Sequence, residues 1–116
     1  MAWLLAFMLA LAPLARGEGA YGVRIAAAPE GGMLTVTPFA RGPADRVLRY
    51  EVRAEQHSRA GKSTSVQAGT VRLAPRGETA LSRLSFALSP GLRYEIIVRL
   101  FEGDAPVGES RLAYPQ

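Results

Sequence analysis

From residue 21 onward apolar and polar residues alternate with period two, and Gly and Pro fall at the breaks between runs, a pattern of many short strands. The first two runs, 21–28 and 33–40, are separated by Pro29-Glu30-Gly31-Gly32, which suits a tight connection. Pro38 within the second predicts an edge or a bulge there. The third run, 47–56, places Leu48, Tyr50, Val52 and Ala54 on one face and Arg49, Glu51, Arg53 and Glu55 on the other, so one side is buried and one wet. After a polar loop at His57-Ser58-Arg59-Ala60-Gly61-Lys62, the fourth run, 63–73, offers only Val66, Val71 and Leu73 as sizeable apolar residues, the composition of a sheet edge. The fifth, 79–88, turns Leu84, Phe86 and Leu88 inward. The sixth buries Leu92, Tyr94, Ile96, Val98 and Leu100, and the seventh spans 106–114 after a turn at Glu102-Gly103-Asp104.

Seven strands at roughly ten-residue spacing and no helical periodicity predict an all-β, seven-stranded antiparallel sandwich of the immunoglobulin-like, fibronectin type III-like kind. Within Leu88-Ser89-Pro90-Gly91-Leu92-Arg93-Tyr94, the tyrosine is placed to cap backbone at a corner with its hydroxyl. In that topology the fourth segment lies outside the third strand, at an open edge.

Residues 2–14 carry no charge and are rich in Leu and Ala, a stretch too short to span a bilayer but suited to the apolar part of a secretory signal peptide. No Lys or Arg precedes it, which is unusual for such a leader. Cleavage near Gly17 divides the chain into a leader, 1–17, and one sandwich domain, 18–116. The expected compartment is therefore the periplasm, with no membrane attachment once the leader is removed. The chain has no cysteine, which excludes disulfides, thiolate chemistry and Cys-based metal sites. Its net charge of +4 is carried by singly spaced Arg interleaved with Glu, and lacks the clustered cations and exposed aromatics of a nucleic-acid binder.

Catalytic signatures are weak. The one histidine, His57, lies in a polar loop beside Ser58, Arg59 and Lys62, with no base–nucleophile arrangement around it. Asp45, Asp104 and the Glu residues are scattered over separate turns, so no metal set or cofactor is implied. Gly61-Lys62-Ser63 has the tail of a phosphate loop, yet Gln56 stands where the upstream Gly belongs, and no helix follows. Glu51 and Glu55 read as cross-strand charge pairs with neighbouring Arg residues. A binding protein is expected, not an enzyme.

Three further stretches bear on the partner: Tyr50-Glu51-Val52-Arg53, Gly61-Lys62-Ser63-Thr64-Ser65-Val66-Gln67-Ala68-Gly69, and Tyr94-Glu95-Ile96-Ile97-Val98-Arg99-Leu100-Phe101-Glu102-Gly103. With the closing Ala113-Tyr114-Pro115, they resemble the CsgC/CsgH-type periplasmic inhibitors of curli amyloid, on the CsgH side. The CsgC branch is known for a Cys-x-Cys pair, which is absent here, so the resemblance implies no redox role. It implies a small monomeric chaperone that binds unfolded curli-type amyloid subunits and stops them from forming fibrils early. Two client surfaces are expected: the edge residues Ser63, Ser65, Gln67 and Gly69, and an outer face bearing Arg49, Arg53, Arg93 and Arg99. The alternative is a structural, adhesive or carbohydrate-binding module of a surface assembly, for which Tyr21, Phe39 and Phe101 are the available aromatics.

Overall fold

The computed structural model describes residues 20–115. The leader expected over residues 1–17 lies outside them. Eight strands follow in order: β1 Gly22–Glu30, β2 Met33–Arg41, β3 Val47–Ser58, β4 Gly61–Arg72, β5 Thr79–Ala80, β6 Leu84–Ala87, β7 Arg93–Glu102 and β8 Ala105–Tyr114. They form two antiparallel sheets. In one, β2 pairs with β1 on one side and with both β5 and β6 on the other; the second has the order β4-β3-β7-β8.

The count differs from the seven expected because the single run at 79–88 is broken in two. β5 pairs Phe39 with Ala80, and β6 pairs Val36 with Leu84, so Leu81, Ser82 and Arg83 stand opposite only Thr37 and Pro38. Pro38 has no N–H to give to the ladder. Its carbonyl still accepts from the Leu81 amide at 2.9 Å, and the surplus residue is expelled as a bulge. The disturbance expected of Pro38 is therefore present, on an inner strand and written into its neighbour. The turn between β1 and β2 is tighter than the four residues assigned to it. Glu30 pairs with Met33, leaving Gly31 and Gly32, both at positive φ, as a two-residue hairpin loop.

The core lies between the sheets. Leu34, Val36, Pro38 and Ala40 of β2 face Leu48, Val52 and Ala54 of β3 and Tyr94, Ile96, Val98 and Leu100 of β7. Each aliphatic side chain removed from water there contributes roughly 1.5–3 kcal/mol. The Tyr94 hydroxyl donates to the Ala87 carbonyl, the corner contact predicted for it, and burial raises its pKa, keeping it a donor.

Two polar latches close the ends of the sheets. Tyr21 donates to Glu102 at 3.2 Å, and Arg46 pairs with the same carboxylate. On the smaller sheet the Arg24 guanidinium lies 4.4 Å over the Phe39 ring and reaches across β2 to Glu78, donating to both carboxylate oxygens. The hydrogen bond from Arg24 pulls the Glu78 carboxyl below the usual carboxylate range, against a smaller opposing effect of burial. Since the folded carboxyl is the stronger acid, its stabilising effect is complete above the unfolded value of about 4.3 and fades as pH falls through the folded value. Glu78→Gln is therefore expected to melt at lower temperature than the parent protein at neutral pH. Circular-dichroism melts should show the gap narrowing as pH falls below the unfolded carboxyl value of about 4.3; a gap constant with pH would refute the latch.

Candidate protein-binding edge and face

β4 owes its position to a difference in width. The sheet holding it is four strands wide, whereas the facing sheet is three, because β5 and β6 occupy successive parts of one place beside β2. β4 consequently packs against β3 alone to any substantial extent. Every residue from Gly61 to Ala68 is exposed, including those on the side that for β3 is core. The backbone groups on its far side have no partner strand in the sheet order, so the open edge expected for this segment is present.

Register assigns each edge residue to a face. Ser63, Ser65, Gln67 and Gly69 stand opposite Gln56, Ala54, Val52 and Tyr50, on the side of the core. Lys62, Thr64, Val66, Ala68, Thr70 and Arg72 take the outer side. All four predicted edge residues thus share one face. Gly69 has a definite steric reason: a Cβ there would lie 2.7 Å from the Tyr50 hydroxyl oxygen, because the Tyr50 ring crosses beneath the strand.

Nearer the β3–β4 turn the same face holds a hollow of about 170 Å³. Ala54, Gln56, Ser63, Thr64 and Ser65 form its floor and rim, and Phe86 and Tyr94 its wall. The two rings stand 5.1 Å apart and tilted by 38°. The hollow exists because Ala54 and Ser65 are paired small residues at a place where the facing sheet ends in β6. The sequence alone places Ser63 and Ser65 on the edge strand and Phe86, Tyr94 and Ala54 on inner faces, without bringing them together. The available signal was Ala54, the one small side chain in an inward series otherwise made of Leu48, Tyr50 and Val52.

The four predicted Arg residues lie on the outer face of the β4-β3-β7-β8 sheet, but not as one cluster. Arg49 stacks 4.2 Å above Phe101, its partner in register, and approaches Glu51 at 3.8 Å. Arg99 stands opposite Glu51 and donates to Glu109 at 3.1 Å, a carboxylate it shares with Arg111. Arg53 pairs with Glu55 at 3.6 Å, and His57 lies 3.4 Å from the same carboxylate. Arg93 is at the other end, opposite His57. Between Arg53 and Arg111 sits Ile97, only 7% exposed although it points away from the core. The aliphatic stems of these two Arg residues are the neighbours in register that cover it. Part of the Arg series is therefore packing, and exposed pairs of this kind contribute roughly 0–1 kcal/mol each.

Lys62 and Arg72 add to the positive character of this face, and among the described residues neither has a carboxylate partner. From Gln56 to Gly77 the chain contains no acidic residue. The aromatics available for sugar stacking are otherwise engaged: Phe39 lies under Arg24, Phe101 under Arg49, and Tyr21 bonds Glu102, all three only partly exposed.

The arrangement defines an all-β protein with a solvated, unpaired edge strand flanked by a cationic sheet face. Residues 23–108 match the family model described as thin aggregative fimbriae synthesis protein, Tafi-CsgC. The chain belongs to that family. Two solved structures share its fold. The solution structure of R. palustris CsgH is 20% identical, with a TM-score of 0.65 over 79% of this chain and 90% of that one. The E. coli curli protein CsgC is 21% identical, with a TM-score of 0.63 over 83% of this chain and 99% of its own. No curated protein sequence matches the chain.

The contact between Gly69 and Tyr50 is open to test. Gly69→Ala is expected to displace the ring and cost on the order of 1–3 kcal/mol in urea unfolding. Adding Tyr50→Phe, which removes the nearest atom, should recover part of that loss. Strict additivity of the two changes would show that the glycine is not held by this approach.

Proposed function

We propose that the protein is a periplasmic chaperone that binds curli-type amyloid subunits and prevents their premature fibril formation. The reading rests on the open β4 edge, a strand twelve residues long and exposed on both faces from Gly61 to Ala68, in a chain that belongs to a fimbriae synthesis family. Amyloid grows by adding extended segments to a strand edge, and a folded edge that accepts such a segment covers the backbone groups to which the next one would be added. The placement of β4 outside β3 is the one an immunoglobulin-like arrangement gives, and we take the fold to be of that class.

Arg49, Arg53, Arg93 and Arg99 have a different part in this scheme. Three of them are already paired with Glu and Arg93 stands opposite His57, so together they serve as a positive field that steers an acidic client toward the edge, an effect on association rate that salt screens. Ser63, Ser65, Gln67 and Gly69 make the contact. The adhesive alternative gains nothing from the engaged aromatics.

The test is curli-subunit polymerisation followed by thioflavin fluorescence with residues 18–116 added. Delay of fibril growth below equimolar ratio is expected. Changing Arg49, Arg53, Arg93 and Arg99 together to Ser should leave the circular-dichroism spectrum unchanged and shorten the delay. Fibril growth indifferent to the parent domain at every ratio would eliminate the chaperone reading.

A further inference from the structure

We propose that the free edge of β4 takes an acidic extended segment of a partner polypeptide as a ninth strand, with one apolar side chain of that segment seated in the hollow between Ser63, Ser65, Phe86 and Tyr94. The inference rests on the binding role proposed above and adds what the bound segment must look like.

Strand addition draws its affinity from main-chain hydrogen bonds and its selectivity from pockets that receive alternate side chains. β4 supplies both. Its outer backbone is unpaired, and its inner side chains in the first half of the strand are Ser63 and Ser65. A side chain directly opposite either of these on an added strand would start about 4.5–5.5 Å away. The short serines and Ala54 leave its path open toward Phe86 and Tyr94. The hollow is walled by two aromatic rings and rimmed by three hydroxyl-bearing residues and Gln56, so an apolar group enters it against the rings while the incoming backbone stays in water.

The other face of the incoming strand meets Lys62 at one end and Arg72 at the other, with Arg53 and Arg49 one strand further in. The anion-free stretch from Gln56 to Gly77 also holds Arg59 and Arg76. Acidic side chains on that face are therefore complementary. Two copies of this chain joined edge to edge would instead bring Arg59, Lys62 and Arg72 of each together with no carboxylate in the stretch to separate them, which disfavours a second copy as occupant.

The experiment uses residues 18–116, isotopically labelled, and a synthetic peptide with Asp at alternate positions, Ser between them and one central Phe. Amides of β4 should shift on titration and gain protection from hydrogen exchange. Replacing the peptide's Phe by Ala should weaken binding roughly tenfold, and replacing its Asp by Lys should abolish binding. Ser65→Phe, at an exposed position, fills the hollow from within and should erase the preference for Phe over Ala. Lys62→Glu with Arg72→Glu should reverse the preference for Asp over Lys.

Shifts confined to other strands, or a Phe preference that survives Ser65→Phe, would overturn the proposal. So would protection of β4 that depends on protein concentration without peptide, since the occupant would then be a second copy. Delay of fibril growth by a domain that shows none of these peptide preferences would end this inference and leave the chaperone reading standing. Binding with the expected preferences by a domain that never delays fibrils would do the reverse.

Discussion

A four-stranded sheet laid over one that is only three strands wide cannot be covered along its whole breadth, and that mismatch governs the molecule. Hydrophobic burial needs two surfaces facing each other, so the core ends where the smaller sheet ends. β3 and β7 are enclosed and carry the fully buried Leu48, Val52, Ile96, Val98 and Leu100, while β4, one place further out, has no layer opposite and no apolar inner series to bury. What is unusual is the length of the overhang. Edge strands are commonly short, whereas β4 pairs with β3 over its whole twelve residues.

Such an edge is hazardous unless something limits what it accepts. Here the limits are composition and charge. Ser, Thr, Gln and Gly keep β4 from drawing in apolar chain indiscriminately, and Lys62 and Arg72 set a sign at its two ends. On the neighbouring strands Arg and Glu alternate so that most charges are locally matched, which leaves the residual positive field concentrated toward the edge. Backbone openness and side-chain selectivity are thus assigned to the same strand.

Much of this was legible in the chain itself. The clean alternation from Leu48 to Glu55, and that from Tyr94 to Leu100 interrupted only at Ile97, reflects two wet-and-dry strands and translates directly into facing. The poverty of apolar residues at 63–70 reflects an uncovered strand in the same way. The break between β5 and β6 was not legible in the run that contains it, since its cause, the missing amide of Pro38, lies on another strand more than forty residues away. The hollow was hidden for a similar reason. It needs Ala54, Ser65 and Phe86 to be brought together by strand pairing and by the end of a sheet, neither of which periodicity encodes. The burial of outward-facing Ile97 also failed to announce itself: an apolar residue on a charged face reads as exposed until its neighbours in register prove to be long Arg stems.

Tyr94 belongs to three structures at once: the corner bond to Ala87, the ring pair with Phe86 and the wall of the hollow. The chain's single tryptophan, Trp3, falls outside residues 20–115. Residues 18–116 taken alone therefore emit ultraviolet light through tyrosine, and one of the four tyrosines lines the hollow into which a guest side chain is proposed to fit. A guest seated beside Tyr94 would change that emission, so the proposed occupancy can be read without an attached dye.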